Sequence, residues 1–327
     1  MILLSCSTAA CAGHIIRKEK KTMNDKIPMN KRTEYDHNFW NHIKGSDTAR
    51  IELYAHEESD PGMYQLPATT ETEYDKAVTE KSIMRRLATV VSVFRGTGYI
   101  LAADSDDTAE FVPEGQPITI TDVMDDFNQL QVLTHKLAVI MKMPSEFVSD
   151  VAFDLKGYMV KRLAKSYAAA EDNAFINGSG EHEPEGVLRG AETGCEASEL
   201  TFDGIISLFF SVAPEYRENG TWLMSDETAQ ALRTLRDDAG NYLWNQANDT
   251  ILGRPVRFSR FMQGVETGAK PVAFGDFSYY WIIRRAPLVV RMLRELFALN
   301  GQNGYLTYEL IDGKLIRPEA VKVFSIK

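Results

Sequence analysis

The sequence has few cysteines and no long apolar run. Of its 327 residues only three are cysteine, and two of these lie within the first eleven positions. This scarcity excludes a framework of disulfide bonds and favours a reducing compartment. No apolar segment approaches the ~18 residues that a membrane-spanning helix needs, which argues against an integral membrane protein.

The sequence also lacks the short motifs of common enzymes. It contains no glycine-rich nucleotide loop, no His-Glu-x-x-His zinc motif and no nucleophile elbow. His182 among neighbouring glutamates and the run Asp104–Asp107 resemble metal ligands only loosely. Adjacent loop residues rarely converge on one ion, and the glycine of a calcium loop is missing. We therefore expect a protein that is not an enzyme, with no catalytic residue, no metal site and no cofactor.

Basic residues are outnumbered, and the acidic excess is concentrated. Lys and Arg total 36 against 46 Asp and Glu, a net charge of -10. An acidic balance over the whole chain argues against a general nucleic-acid binder, which needs a basic face. The stretch 101–127 contains eight acids and no base. Seven bases lie between Arg17 and Arg32. The composition changes at Met23, which suggests this methionine as an alternative start.

Periodic apolar residues predict one long amphipathic helix from Val151 to Ile176, roughly 40 Å in length. Gly178 is expected to end it in a left-handed conformation. Asp312-Gly313 is expected to form a hairpin turn between strands Tyr305–Ile311 and Lys314–Ile326. Shorter patterns predict helices at 200–213 and Glu227–Arg236, and strands at Val90–Phe94, Leu130–Ile140, Thr221–Met224, Val272–Phe274 and Tyr279–Ile283.

Two segments have too little apolar character to fold alone. Residues 23–60 are polar and predict an arm that gains order by lying on another surface. The acidic stretch 101–127 predicts a long two-stranded hairpin, which is marginal in water by itself. In a self-assembling protein the supporting surface belongs to another copy. Near Trp281 we expect core aromatics on one strand face, with Arg284 and Arg285 exposed at the edge, in preference to a base-stacking site.

Several segments, in this order along the chain, resemble the major capsid proteins of tailed bacteriophages, which have the Hong Kong 97-type shell fold. The resemblance covers roughly residues 65–327, and the order of the motifs makes it specific. It rests on Ala168-Ala-Ala-Glu-Asp-Asn-Ala-Phe-Ile-Asn-Gly-Ser-Gly180, Pro184-Glu-Gly-Val-Leu188, Trp222-Leu-Met-Ser-Asp-Glu-Thr228, Leu232-Arg-Thr-Leu-Arg-Asp-Asp-Ala-Gly-Asn-Tyr242, Leu252-Gly-Arg-Pro-Val256, Phe274-Gly-Asp-Phe-Ser-Tyr-Tyr280 and the final hairpin.

The resemblance implies an α+β fold in four parts. Residues 1–65 would be an N-terminal arm, with 1–22 absent if translation starts at Met23. Residues 66–135 would hold a helix, strands and the extended β-hairpin loop. Residues 136–185 and 305–327 would form the peripheral domain with its long spine helix, and 186–304 the axial domain.

The implied function is a major capsid protein. It would self-assemble in the bacterial host cytoplasm into the icosahedral head of a virion, enclosing the double-stranded DNA of a phage or prophage. Its partners would be itself, in pentamers and hexamers, then portal and scaffolding protein or a maturation protease. DNA would be touched weakly and non-specifically, and no membrane is involved.

Cohesion between subunits is expected to be non-covalent. Some family members join a loop lysine to an asparagine, but this chain has no lysine from Asp104 to Thr134. We expect the acidic loop to dock on basic groups of a neighbouring copy. The alternative is a solvated acidic face that repels DNA. The proposed inter-subunit residues are Asp104, Asp106, Asp107, Glu110, Lys156, Lys161, Arg162 and Lys165.

Two other functions remain open from the sequence. An encapsulin-like nanocompartment shell would have the same fold and would be encoded beside a cargo enzyme. A soluble enzyme of unrecognised type would be a small oligomer with turnover. Microscopy of the purified protein separates the second from a shell, because only a shell protein forms hollow particles or capsomer rings.

Overall fold

The computed structural model describes residues 29–45, 63–93, 99–103, 127–150, 152–236, 242, 244 and 249–327. Within them the chain is a mixture of helix and sheet. The helices are α1 Met29–Ile43, α2 Ala68–Lys81, α3 Met84–Leu87, α4 Ser145–Ser149, α5 Leu155–Asn177, α6 Val187–Gly190, α7 Phe202–Ser211, α8 Pro214–Glu218 and α9 Asp226–Thr234.

The strands of the described residues form two main sheets and one separate pair. They are β1 Met63–Gln65, β2 Thr89–Ser92, β3 Tyr99–Ala103, β4 Phe127–Gln131, β5 His135–Pro144, β6 Glu192–Ala197, β7 Thr221–Met224, β8 Thr250–Ile251, β9 Arg254–Phe258, β10 Val272–Gly275, β11 Tyr280–Leu293, β12 Gln302–Leu315 and β13 Val321–Ile326.

The first sheet is built around the long antiparallel pair β11 and β12, each of 14 residues. The strand order is β1-β11-β12-β5, and β2 pairs in parallel with residues of β11 that precede those paired with β1. Helix α5 packs on this sheet with one apolar side, where Met159, Leu163 and Tyr167 are buried. Amphipathic packing of this kind is what the three- and four-residue spacing predicted.

Helix α1 lies in the segment expected to be an arm, and it packs on the chain's own core. Phe39 and Ile43 are buried in the cluster that also contains Tyr167. The hydroxyl of Tyr305 on β12 donates to the carbonyl oxygen of Ile43 at 3.0 Å. The surface that orders this part of the segment is therefore intramolecular.

The second sheet has the order β6-β13-β10-β7-β9-β8. Its central strands β7 and β10 are buried at every position. A strand covered on both faces needs apolar residues throughout, which explains the continuous apolar runs that predicted both strands. Helices α7 and α9 cover the sheet through Ile205, Leu208 and Leu232, which pack with Trp222 and Phe274.

The predicted extended hairpin is described only at its base. Strands β3 and β4 pair antiparallel from Tyr99 opposite Gln131 to Ala103 opposite Phe127. The acidic residues 104–126 between them lie outside the described residues. In the described part, no helix has the length and apolar character needed to cross a bilayer.

The expected hairpin turn at Asp312-Gly313 is wrong. Both residues lie inside β12 and pair with Ile283 and Ile282 of β11. The Asp312 carboxylate accepts from the backbone N–H groups of Leu133 at 2.7 Å and Gly313 at 2.8 Å. The chain turns later, and β13 joins the second sheet. The glycine serves close packing here, because Tyr280 and Phe175 occupy the space of a side chain.

The predicted long helix is correct, but both of its ends differ from expectation. It begins at Leu155 because the Asp154 side chain caps it, accepting from the N–H of Gly157. Gly178 ends it with φ -55° and ψ 146°, which is not left-handed. A Cβ at Gly178 would collide with the carbonyl oxygen of Pro184. The glycine therefore permits close backbone approach.

The two sheets cut across the ranges expected for the domains. Strand β11 belongs to 186–304, yet it pairs with β12 in the first sheet. Strand β13 belongs to 305–327, yet it lies between β6 and β10 in the second sheet. The chain thus crosses between the sheets after β10 and returns after β12.

We predict that Gly313→Ala destabilises the fold by about 1–3 kcal/mol, because overpacking a filled core forces its neighbours to move. A Cβ there would lie 2.8 Å from Cδ1 of Phe175, which is completely buried. Urea unfolding measures the loss. In the matched control Gly264→Ala the nearest atom, Oε2 of Glu227, is 3.7 Å away, so the change should stay within about 0.5 kcal/mol. Equal effects of both changes would contradict this account.

Candidate assembly surface

The exposed charged residues of helix α5 are all basic. Lys161, Arg162 and Lys165 are exposed, whereas both acids of the helix, Glu171 and Asp172, are buried. The spacing explains this segregation, because residues three and four apart lie on the same side of a helix. A protein with a net charge of -10 therefore presents a row of positive charge along its longest helix.

The four basic residues proposed from the sequence do not have equal freedom. The ammonium group of Lys156 donates to Glu73 of α2 at 3.0 Å, so this lysine is already paired within its own chain. Arg162 donates to the Tyr158 hydroxyl at 2.6 Å and lies over the same ring. Among the described residues, no ion pair is found for Lys161 or Lys165. These two are the strongest candidates for an external anion.

The proposed acidic partners cannot be placed against this surface. Asp104, Asp106, Asp107 and Glu110 all lie outside the described residues. The structure therefore brings together the four basic residues of the expected contact on one helix. The acidic half, and the contact itself, stay a prediction.

An aromatic patch adjoins the cationic row at the start of α5. The ring of Phe153 lies 5.9 Å from that of Phe147 and 5.5 Å from that of Tyr158. Phe147 is 54% exposed, an unusual position for a large apolar ring. This patch could not be predicted from the sequence, because its residues come from two helices and from the gap between them. The combined surface offers apolar contact beside positive charge.

A second feature missed from the sequence is a set of ion pairs that joins α2 and α3 to α5 and β11 through two buried arginines. Arg85 donates from Nε and Nη2 to both oxygens of Glu171, each at 2.6 Å. Arg284 donates from Nη1 to Asp75 at 2.8 and 2.9 Å, and from Nη2 to Glu71 at 3.3 Å. Arg284 is 4% exposed, so the expectation of an exposed edge arginine is wrong. Its carboxylate partners on α2 explain why it can be buried.

The electrostatics of this set favour ionised arginine. Burial acts to lower the pKa of Arg85, but the charge of Glu171 and its hydrogen bonds outweigh burial, so the pKa lies above its usual value. For Arg284, burial likewise acts to lower the pKa, and the carboxylate of Asp75 is the largest opposing influence, so this pKa is also raised. Both guanidinium groups therefore keep their charge in the interior.

Asp172 fastens the same region from the neighbouring position of α5. Its carboxylate accepts from the Ser82 hydroxyl at 2.6 Å and from the backbone N–H groups of Ile83 and Met84, both at 3.0 Å. Burial raises the pKa of this carboxyl, although the three hydrogen bonds oppose the shift. The burial of both acids did have a signal in the sequence, because Glu171 and Asp172 follow Ala168 by three and four residues on the apolar side of the helix.

The described residues contain no group of three or more His, Cys, Asp or Glu side chains placed to hold a metal ion. The histidine and acids near position 182 do not converge in such a group.

We predict that Arg85→Leu lowers the free energy of unfolding by about 3–5 kcal/mol, because it leaves the Glu171 charge buried without a partner. Urea denaturation of the full chain measures the loss. Arg86→Leu is the matched control, since Arg86 is exposed on the same helix. The double change Arg85→Leu with Glu171→Leu should recover part of the loss. Similar effects at positions 85 and 86 would show that the buried pair has no special role.

Comparison with known proteins points to one family. The model of the phage capsid family matches residues 62–326. A solved structure described as the capsid of an empty GTA particle is 25% identical, with a TM-score of 0.60, covering 75% of this chain and 90% of that chain. The capsid of a native GTA particle is 23% identical, with a TM-score of 0.59, covering 85% and 97%.

More distant structures share the architecture. A structure from Gordonia phage Cozz is 16% identical, with a TM-score of 0.56, and the match covers 75% of this chain and 86% of that chain. No curated protein gives a significant match. The family match extends over both main sheets and the long helix, so this chain belongs to the phage capsid family and is a shell-forming major capsid protein.

Proposed function

We propose that this chain forms the icosahedral head of a tailed phage or prophage and encloses its double-stranded DNA. Pentamers and hexamers of the chain would be the building units. The observation that carries the proposal is the cationic row on α5, which lies on a protein whose net charge is -10. Opposite charges on one chain favour contact between copies, since the acids of one copy can meet the bases of another.

The proposed contact joins the acidic stretch of one copy to the α5 surface of the next. In this contact the acids Asp104, Asp106, Asp107 and Glu110 would approach the bases Lys161, Arg162 and Lys165. Lys156 would lie at the edge of the contact, because it is already paired with Glu73. The aromatic patch at Phe153 would add apolar area to the same contact. Partly desolvated charge pairs of this kind gain more than exposed pairs do, and they weaken as salt rises.

The parts of the shell follow as proposals. The arm 1–65 would begin the chain, and 66–135 would carry the extended loop. The first sheet with α5 supports a peripheral role for 136–185 and most of 305–327. The second sheet supports an axial role for most of 186–304. Strands β11 and β13 are the exceptions, because each pairs in the sheet of the other part.

The remaining partners follow from the proposed head. Portal protein, and scaffolding protein or a maturation protease, would act during assembly in the host cytoplasm. Packaged DNA would meet a mainly acidic wall and so would be touched only weakly. The protein would work as a structural component and not as an enzyme. Neither a metal ion nor a cofactor enters this proposal.

We predict that Lys161→Glu with Lys165→Glu reduces the yield of assembled particles, because it places acids opposite the acidic stretch. Asp106→Lys with Asp107→Lys should do the same, and combining both pairs should restore assembly by exchanging the charges. Sedimentation and negative-stain microscopy measure the assembled fraction, and urea unfolding confirms that the subunit fold is retained.

The matched control is Arg189→Glu with Arg257→Glu, which alters net charge equally at exposed positions outside α5. This control should give a higher yield of assembled particles than Lys161→Glu with Lys165→Glu. If the α5 pair and this control behave alike, net charge decides assembly and the specific contact is wrong. If the unaltered protein forms neither particles nor capsomer rings, the proposed head itself is wrong.

A further inference from the structure

One carboxyl group on the inner side of β12 has no counter-ion of its own. Side chains at alternate positions of this strand point toward α5, and Glu309 lies in that row between Thr307 and Ile311, with 1% of its surface exposed. Neither of its oxygens has a hydrogen-bond donor among the described residues. An ionised carboxylate buried in this way would be costly, because each buried polar group normally needs a partner.

The nearby cations are already committed to other carboxylates. Nη2 of Arg85 lies 2.6 Å from Glu171 but 3.8 Å from Oε1 of Glu309. Arg284 is bonded to Asp75 and Glu71. Two guanidinium groups thus face four carboxyl groups, and Glu309 is the member left without a direct bond.

Among the residues that the structure describes, the elements packed against Glu309 bring no further cation to it. Strand β5 places Leu137 directly opposite in register. The charged and titratable groups that act on Glu309 come from four elements, α2, α3, α5 and β11. They are Tyr74, Arg85, Tyr167, Glu171 and Arg284.

We propose that Glu309 carries a proton in the folded protein and donates it in a hydrogen bond to Glu171, so that β12, α3 and α5 are fastened by a proton-dependent cluster. The proton removes one unit of negative charge from a group with an excess of carboxylates. It also supplies a donor between two carboxyl groups that otherwise only accept. Burial and then repulsion by Glu171 raise the pKa of Glu309 well above its ordinary value, against the opposing charges of Arg85 and Arg284.

The direction of the pH dependence follows from linkage. The pKa of Glu309 is higher in the folded chain than in the unfolded chain, where a glutamate titrates near pH ~4.3. The stabilisation is therefore complete below that pH and is lost progressively as pH rises toward the folded-state pKa. Base, and not acid, weakens the cluster through this group. The fastening of α3 and α5 to β12 should weaken with it.

The test replaces Glu309 by glutamine in the full chain. Glutamine can donate to Glu171 but cannot lose a proton. Unfolding equilibria in urea are measured from about pH 5 to pH 8. We expect the folding equilibrium constant of the unaltered protein to fall relative to Glu309→Gln by about tenfold per pH unit while Glu309 remains protonated. Glu192→Gln, an exposed glutamate of β6, is the matched control and should give a curve parallel to the unaltered protein.

A second measurement detects the proton directly. The infrared difference between the unaltered protein and Glu309→Gln at neutral pH should contain the carbonyl stretch of a protonated carboxylic acid. Parallel pH curves, or a difference spectrum with only a carboxylate signal, would overturn the proposal. Should the glutamine variant not fold, Glu309→Met replaces it in both measurements. Failure of both neutral side chains to fold would show that the ionised form is required, which also overturns it.

Discussion

The arrangement of the chain depends on charges that are paired away from water. Removing an ion from water costs several kcal/mol, and only a well-placed partner offsets this cost. Arg85 and Glu171 meet through two hydrogen bonds from two different nitrogens. Nη1 of Arg284 donates to both oxygens of Asp75, a carboxylate that remains partly exposed. Apolar packing alone would tolerate small displacements of α2 and α3 across the first sheet. Bidentate pairs do not, because their hydrogen bonds require one geometry. The interior charges therefore select one position for the segment that precedes the β3–β4 pair.

Elements whose signal is local could be predicted from the sequence. Strands β7 and β10 are buried on both faces, so each appears as an uninterrupted apolar run. Helix α5 covers a sheet with one side, so its apolar residues recur at helical spacing. The family resemblance also came from local patterns. The cationic row on α5 could be predicted for the same reason, since it follows from the spacing along one helix.

Features that depend on distant partners could not be predicted. Asp312-Gly313 is a strong turn signal by itself, yet the space beside Gly313 is filled by Tyr280 and Phe175. The arginine at 284 lies 209 and 213 residues from its partners Asp75 and Glu71. A single sequence contains no mark of such pairings. The carboxylate partners turn a residue expected at an exposed edge into a buried one.

The chain separates two kinds of charge by their exposure to solvent. Pairs such as Arg85 with Glu171 lie in the interior, where dissolved ions screen them little. The cations Lys161 and Lys165 are exposed, and salt at physiological strength screens exposed charges beyond about 8 Å. Contacts between copies that use the exposed cations can therefore respond to ionic conditions while the subunit keeps its fold. A shell whose subunits must first associate reversibly and then persist benefits from this separation.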